Sequence, residues 1–420
     1  MKPEIHIVGH MRDALATSDR LNGASCRVSM SSFHPTGVLR QRRVRIMEEH
    51  VCRKLGEYFA ALSVSDNLSF LPSGVNSVFI SNVRRLHGSN EVYSFLLTYK
   101  GKGFQQSISL ILKLYIKDLE PVLNSYLSNA GSSSLKNAFP QLYCEKDERC
   151  EKEFQILRSL ERLDFAVPRV YLYELDSSFL GSPFIIMKKE KLDRCTDCLK
   201  VATQNLIRLH NLDVNALGIK YLKSPEDPYF FARRCLLYFK FLLGSYRGHN
   251  KELTRDFDFT LHWLEKNVSR FPCHNYCLIH GDYHIYANTI LNESSKIFVL
   301  DWEEATVGDP TFDAGYAFVR TWVDRGEKAA DRFAQEYMGY FEGDVAERMH
   351  FYESVVFLGE AILGSTVLSS PLTAYHVHGI NAFLFFPFLH SSFAAKNTGA
   401  SWDIIWVNCF KEFFKYRLRQ

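Results

Sequence analysis

The spacing of apolar residues along the chain changes twice and divides it into three parts. Residues 1–43 are rich in Ser, Arg and Gly and show no sustained period, so we expect a flexible extension. Residues 44–62 carry apolar residues at helical spacing. Three strand-like runs follow, separated by glycine-containing turns, and predict an antiparallel meander: 78–86, 92–99 and 108–115.

The pattern becomes mainly helical in the second half. A helix is predicted at 148–163 and a strand pair at 169–175 and 184–187. Amphipathic helices are then predicted after Lys191, at 200–212, 228–243, 329–341, 350–363 and 400–416. Mixed strands followed by helices indicate an α+β chain of two lobes. We place the N-terminal lobe at 44–187 and the C-terminal lobe at 188–420.

Composition agrees with a large folded protein and excludes some partners. The chain has 420 residues, 46% hydrophobic and 14% aromatic, which is enough for more than one core. Lys and Arg number 50 against 47 Asp and Glu, so the net charge of +3 creates no global field. We therefore predict neither a nucleic-acid partner nor a membrane partner. The late apolar stretch 379–389 is shorter than the about 20 residues that span a bilayer.

The ten cysteines bear on the compartment and on one alternative site. They are scattered along a chain whose N-terminus lacks a long apolar leader, which favours reduced thiols and a cytoplasmic location. A zinc site is an alternative, because Cys195 and Cys198 form a CxxC pair and Cys273, His274 and Cys277 cluster elsewhere. An isolated CxxC is weak support for zinc, so buried thiols are the preferred interpretation.

Residues suited to phosphoryl transfer follow two short apolar runs. The run 276–279 ends in His280, Gly281 and Asp282, with Asn288 soon after, and the run 297–300 ends in Asp301. An Asp can orient a hydroxyl and accept its proton, while another Asp and an Asn supply hard oxygen ligands for Mg²⁺.

These residues occur in HGDYHIYAN and VLDWEEATVGDPTFDAGY, which together resemble the aminoglycoside phosphotransferase and choline kinase family. The resemblance implies a two-lobed protein-kinase-like fold, a small antiparallel-sheet N-lobe and a mainly helical C-lobe. It implies ATP as donor, with GTP as an alternative, Mg²⁺, and a hydroxyl of a small molecule such as an aminoglycoside, choline or a sugar as acceptor. By resemblance Asp282 is the catalytic base, and Asn288 and Asp301 hold the metal. Asp313 either braces the catalytic loop or only interacts with a helix dipole.

Upstream residues are candidates for nucleotide contacts. Lys113 lies in an otherwise apolar predicted strand, where a buried ammonium needs an anionic partner. Glu153 shares the apolar face of its predicted helix and is the candidate partner, as in kinases. The turn Gly88, Ser89 and Asn90 resembles the family's glycine-containing loop over the phosphates, although His87 stands where a second glycine is common.

The motif departs from the family at one position. The metal-binding Asn usually stands five residues after the catalytic Asp, whereas Asn288 stands six after Asp282, and Ala287 takes the usual place. Either the loop bulges by one residue and returns Asn288 to the metal, or Asp301 holds the metal alone. We favour the bulge, because an extra residue costs least in a loop.

The sequence allows more than one acceptor and more than one function. Aromatic residues in the C-terminal lobe are candidates for an acceptor pocket but equally suit a core: Tyr375, Phe385, Phe386, Trp402 and Trp406. The main alternative function is a catalytically inactive, kinase-like protein that binds a nucleotide or metabolite. Protein kinase activity is disfavoured, because no activation segment separates Asp301 from Gly308.

Overall fold

The computed structural model describes residues 35–64, 70–86, 91–115, 146–190, 198–246, 251–291, 297–341 and 343–369. They divide into two compact units. The first unit takes the chain up to Leu114 together with Tyr171–Lys189, and the second takes Tyr115–Val170 and the chain from Glu190 onward. The chain passes from the first unit to the second for the last time between Lys189 and Glu190, close to the lobe boundary predicted at residue 188. Among the residues that we assigned to the N-terminal lobe, the described residues 115 and 146–170 cluster with the second unit.

The first unit is a five-stranded sheet covered by one helix. Its strands are β1 (Val75–Arg85), β2 (Glu91–Gly101), β3 (Phe104–Leu114), β4 (Val170–Glu174) and β5 (Phe184–Lys188), in the order β1-β2-β3-β5-β4. The pairs β1/β2, β2/β3 and β3/β5 are antiparallel. Gly103 has a φ of 84° in the two-residue turn between β2 and β3, where a left-handed conformation fits the twist of a hairpin.

Helix α1 (Pro35–Val64) packs on this sheet and closes its core. Leu55 and Phe59 of the helix are buried against Val78, Leu97 and Leu112 of the strands. The helix begins at Pro35, earlier than the start near residue 44 that the apolar spacing predicts.

The second unit is mainly helical. Its helices are α2 (Lys146–Arg162), α3 (Leu199–His210), α4 (Phe230–Tyr246), α5 (Lys251–Asn267), α6 (Pro310–Arg325), α7 (Glu327–Met338) and α8 (Val345–Ser369). Two small antiparallel sheets pair β6 (Cys277–Ile279) with β9 (Thr306–Gly308) and β7 (Thr289–Leu291) with β8 (Ile297–Val299). The predicted α+β class, with a sheet first and helices later, is confirmed. The helix predicted at 400–416 and the five aromatic candidates for an acceptor pocket lie outside the described residues.

The described part of the chain was compared with the zinc alternative and with the late apolar stretch. Its six cysteines are free thiols, and it contains no group of three or more His, Cys, Asp and Glu side chains that could hold a metal ion. Cys195 of the CxxC pair lies outside it. Within the same residues no helix is both long and apolar enough to cross a membrane.

Candidate active site

The HGD segment leaves the end of β6 through a turn that only glycine can make. Gly281 has a φ of 84°, a region that side chains disfavour. A Cβ at this position would lie 2.7 Å from the backbone oxygen of Glu304. The segment 280–282 therefore packs directly against the backbone that follows Asp301.

Asp313 braces this segment from the first turn of α6. The helix starts with Asp309 as its N-cap, whose Oδ1 accepts from the backbone nitrogen of Thr311 at 2.9 Å, and Pro310 occupies the first turn. Asp313 is fully buried and accepts from the backbone nitrogens of His280 at 2.6 Å and Gly281 at 2.9 Å. The geometry resolves the alternative left open by the sequence in favour of the brace.

His280 connects the HGD segment to the second apolar run. Its Nε2 lies 2.8 Å from the backbone oxygen of Leu300, which can only accept, and its Nδ1 lies 3.2 Å from the backbone nitrogen of Asp282, which donates. These two bonds require a neutral ring with the proton on Nε2. Burial lowers the pKa of His280, which also favours the neutral form.

A tight turn precedes Asn288 in the loop. The backbone nitrogens of Ala287 and Asn288 both donate to the backbone oxygen of His284, at 3.2 and 2.8 Å. Asn288 Nδ2 then donates to the backbone oxygen of Asp282 and to its carboxylate Oδ2, both at 2.9 Å. The Asn288 side chain thus lies against Asp282, while the bulge and the metal-binding role of Asn288 stay predictions.

The Asp282 carboxylate is buried and incompletely satisfied. Its Oδ1 has no hydrogen-bond partner among the described residues. Burial raises the pKa of Asp282 to about 7. The positive charge of Arg320 and hydrogen bonds from Tyr316 and Asn288 lower this pKa, whereas the negative charge of Asp301 raises it.

Asp301 follows β8 in a strained conformation. It has φ and ψ of 63° and 64°, which are uncommon for a residue other than glycine. Such strain persists where the surroundings determine it, and functional sites are common examples. The backbone nitrogen of Leu300 donates to the backbone oxygen of Asn288 at 2.8 Å, so the chain segments carrying the two predicted metal ligands are neighbours.

Sequence reasoning missed three polar residues on α6, namely Tyr316, Arg320 and Asp324. Arg320 donates to the Tyr316 hydroxyl oxygen from Nε at 3.1 Å and from Nη2 at 2.9 Å. Asp324 Oδ2 lies 2.6 Å from Nε2 of His284. The signal was present in the sequence, because these residues continue the helical spacing of Asp313 through a helix in which apolar residues are in the majority.

The two upstream candidates, Lys113 and Glu153, lie on elements of different units. Lys113 is buried on β3, opposite Val92 and Ile185 in the two neighbouring strands. Glu153 is buried on α2 and accepts from the Tyr115 hydroxyl. The two belong to different units, so their pairing stays a prediction. The predicted phosphate loop of Gly88, Ser89 and Asn90 lies outside the described residues.

Comparison with known proteins identifies the class of protein that carries this fold and site. The profile of the "Phosphotransferase enzyme family" matches residues 83–352, more than half of the chain. The chain belongs to the phosphotransferase enzyme family. The family and the phosphotransferase class predicted from the sequence are confirmed.

Individual relatives are distant. A crystal structure of a protein assigned as an aminoglycoside phosphotransferase of Ralstonia eutropha has 15% identity and a TM-score of 0.51, covering 76% of this chain and 96% of that chain. This likeness shows a shared fold.

Two curated relatives carry the names of dehydrogenases. Acyl-CoA dehydrogenase IBR3 of Arabidopsis thaliana is 26% identical over 217 residues, covering 46% of this chain and 26% of that protein. Acyl-CoA dehydrogenase family member 10 of Mus musculus is 27% identical over 181 residues, covering 40% of this chain and 16% of that protein. The chain therefore spans about a quarter or less of the length of these relatives.

Proposed function

We propose that this chain transfers the γ-phosphoryl group of ATP to a hydroxyl group of a small molecule. The observation that carries the proposal is the state of Asp282. Its carboxylate is buried and hydrogen-bonded to Asn288, and its Oδ1 has no partner within the described part of the chain. A carboxylate oxygen in this state can accept the proton of an incoming hydroxyl.

In the proposed reaction one bond forms, one bond breaks and one proton is transferred. The acceptor oxygen forms a bond to the γ-phosphorus, the bond from that phosphorus to the ADP oxygen breaks, and the hydroxyl proton moves to Asp282 Oδ1. The pKa of about 7 makes the carboxylate a stronger base than an exposed Asp and leaves it largely ionised in mildly alkaline solution. Asp313 and His280 keep the HGD backbone fixed, which restricts the positions that Asp282 can adopt.

The oxygen donors near Asp282 suit a magnesium ion. Carboxylate and carboxamide oxygens are the ligands that Mg²⁺ prefers, and Asp301 and Asn288 supply one of each. Asn288 uses its amide nitrogen on Asp282, so its amide oxygen is the atom that would bind the metal. A bound Mg²⁺ would neutralise phosphate charge during the transfer. Lys113, oriented by Glu153, is proposed to contact the nucleotide phosphates.

Two classes of acceptor are worth separate tests. The first is a hydroxylated amine, sugar or antibiotic, as implied by the motif. The second is a hydroxylated acyl-CoA, because the curated relatives are named acyl-CoA dehydrogenases and this chain matches only about a quarter or less of each. A cytoplasmic location accords with the free thiols of the described cysteines.

A substrate screen tests the proposal. The purified full chain is incubated with ATP or GTP, Mg²⁺ and a panel of sugars, amino alcohols, aminoglycosides, nucleosides and hydroxyacyl-CoA thioesters, and ADP or GDP release is measured. The proposal predicts nucleotide turnover that depends on one acceptor class and stops on addition of EDTA. Tight nucleotide binding without turnover on any acceptor would favour the inactive, kinase-like binding protein instead.

A further inference from the structure

The last turn of helix α6 contacts the loop that follows Asp282. Asp324 Oδ2 lies 2.6 Å from Nε2 of His284, and the Arg325 guanidinium lies 4.5 Å from the centroid of the Tyr286 ring. Two neighbouring residues of the helix thus contact two residues of the loop, one by a hydrogen bond and one by a cation–π contact. The loop is attached to the end of the helix by side chains.

The imidazole of His284 depends on Asp324 for its polar contact. An ionised carboxylate can only accept, so Nε2 of His284 carries a proton and donates it to Asp324. Nδ1 of the same ring is buried and has no hydrogen-bond partner among the described residues. His284 is 5% exposed, and a buried ring with an unsatisfied nitrogen is costly. An apolar side chain would fill this space without that cost, so the bond to Asp324 explains the histidine better than packing does.

Asp324 also occupies a position that a helix disfavours. It is the second-last residue of α6, where the helix dipole is negative and an acidic side chain is repelled. Its side chain is only 21% exposed, so water screens this repulsion incompletely. The N–H group of His284 and the positive charge of the neighbouring Arg325 offset it. The position of the carboxylate is therefore explained by the loop residue that it binds.

His284 is the residue around which the loop turns. Its backbone nitrogen donates to the backbone oxygen of Asp282 at 2.8 Å. Its backbone oxygen accepts from the backbone nitrogens of Ala287 and Asn288, at 3.2 and 2.8 Å. Asn288 Nδ2 in turn donates to Asp282 Oδ2 at 2.9 Å. A displacement of His284 would therefore move Asn288 relative to the Asp282 carboxylate.

Helix α6 holds the catalytic segment at two separated points. Asp313 in its first turn accepts from the backbone nitrogens at 280 and 281, and Asp324 in its last turn accepts from His284. The two carboxylates are about 16 Å apart along the axis of a regular helix. Because both ends are attached to one rigid element, the segment between them has little freedom to change its path.

We propose that His284 and Asp324 are positioning residues whose hydrogen bond holds the turn that places Asn288 against Asp282. The contact of Arg325 with Tyr286 supports the same turn. This inference rests on the proposed phosphoryl transfer for its consequence for magnesium, but not for its consequence for the loop.

A binding and kinetic test compares His284→Leu, Asp324→Ala and the double variant with the parent. ADP binding is measured by isothermal titration calorimetry over a series of Mg²⁺ concentrations, and ADP release is measured with the most active panel acceptor. We expect each single variant to raise the Mg²⁺ concentration for half-maximal effect about tenfold, the lower end of the effect of losing an outer-shell partner of a metal ligand. The double variant should be no worse than His284→Leu alone, because one bond is lost in each.

Two other variants separate positioning from a general loss of stability. His284→Gln offers an amide N–H to Asp324 and should recover most of the loss seen in His284→Leu. Tyr276→Phe is the control: the Tyr276 hydroxyl donates to the backbone oxygen of Asp227 at 2.9 Å, at the other end of β6 from the HGD segment. It should keep the Mg²⁺ dependence of the parent. A parent-like Mg²⁺ dependence in His284→Leu, or a His284→Gln protein as impaired as His284→Leu, would overturn the proposal.

A structural measurement tests the same inference without nucleotide or metal. In crystal structures of the parent and of His284→Leu, we expect the Asn288 side chain of the variant to move beyond hydrogen-bond distance of the Asp282 carboxylate or to adopt two orientations. Should His284→Leu fail to fold, Asp324→Ala removes the same bond from its partly exposed side and should show the same displacement. An Asn288 side chain that keeps its place in the variant would overturn the inference, even if the parent protein phosphorylates nothing.

Discussion

The brace between Asp313 and the HGD backbone gives a quantitative prediction. Asp313→Asn keeps one carbonyl oxygen for one of the two loop amides and directs its NH₂ group toward the other. One charge-assisted bond becomes a neutral bond, and one buried N–H is left facing a donor. A hydrogen bond to a charged group contributes about 1.5–3 kcal/mol, and an unsatisfied buried group costs about 1–3 kcal/mol. We therefore expect the free energy of unfolding to fall by about 2–4 kcal/mol.

Urea denaturation followed by tryptophan fluorescence and circular dichroism measures this loss. Asp213→Asn is the control: Asp213 is exposed and its Oδ1 accepts from the backbone nitrogen of Asn215, a role that Asn performs equally well. The control should unfold within about 0.5 kcal/mol of the parent. A loss below about 1 kcal/mol in Asp313→Asn would show that the loop amides find other partners, and the brace would be refuted.

Three further predictions follow from the site. Lys113→Ala and Glu153→Ala should each weaken MgATP binding, and the double variant should lose less than the two combined, because the carboxylate orients the ammonium. Since the base must be ionised and burial raises the pKa of Asp282 to about 7, kcat/KM for MgATP, corrected for ionisation of ATP, should rise with pH up to about 7 and then level off. Asn288→Ala should raise the Mg²⁺ concentration for half-maximal activity, and deletion of Ala287 should be tolerated better.

Each of these predictions would be contradicted by a different experimental result. Fully additive losses at Lys113 and Glu153, measured by isothermal titration calorimetry, would show that the residues act independently. A kcat/KM that is constant from pH 5.5 to 8.5 would show that the rate does not depend on the ionisation of Asp282. An Asn288→Ala protein that responds to Mg²⁺ like the parent would leave Asp301 as the predicted ligand and refute the bulge model.

Much of the fold could be predicted because the spacing of apolar residues within one segment is enough to indicate a strand or a helix. The alternation in 78–86 and 92–99 and the spacing in 200–212 correspond to strands β1 and β2 and helix α3. The order of strands and helices was sufficient to predict the α+β class. The HGD and GDP segments identified the family because several polar residues occur in a fixed order.

Other features depend on contacts between distant parts of the chain. Apolar spacing at the start of α1 is weak, so the helix was predicted to begin near residue 44 although it begins at Pro35. Sequence order assigned residues 146–170 to the N-terminal lobe, whereas contact clustering groups these described residues with the second unit. The partners of Asp313 lie about 30 residues away in the sequence, so a polar face on α6 could be recognised but not matched to the loop.

Direct transfer of labelled phosphate tests the central claim most directly. The parent protein and Asp282→Ala are incubated with γ-³²P-ATP, Mg²⁺ and the acceptor that gives the highest ADP release, and the labelled product is separated and counted. The parent should transfer label to the acceptor, and Asp282→Ala should be slower by about 10² to 10⁴ while binding ATP with similar affinity. Label transfer by Asp282→Ala at the parent rate would contradict the assignment of Asp282 as the base and, with it, the proposed mechanism.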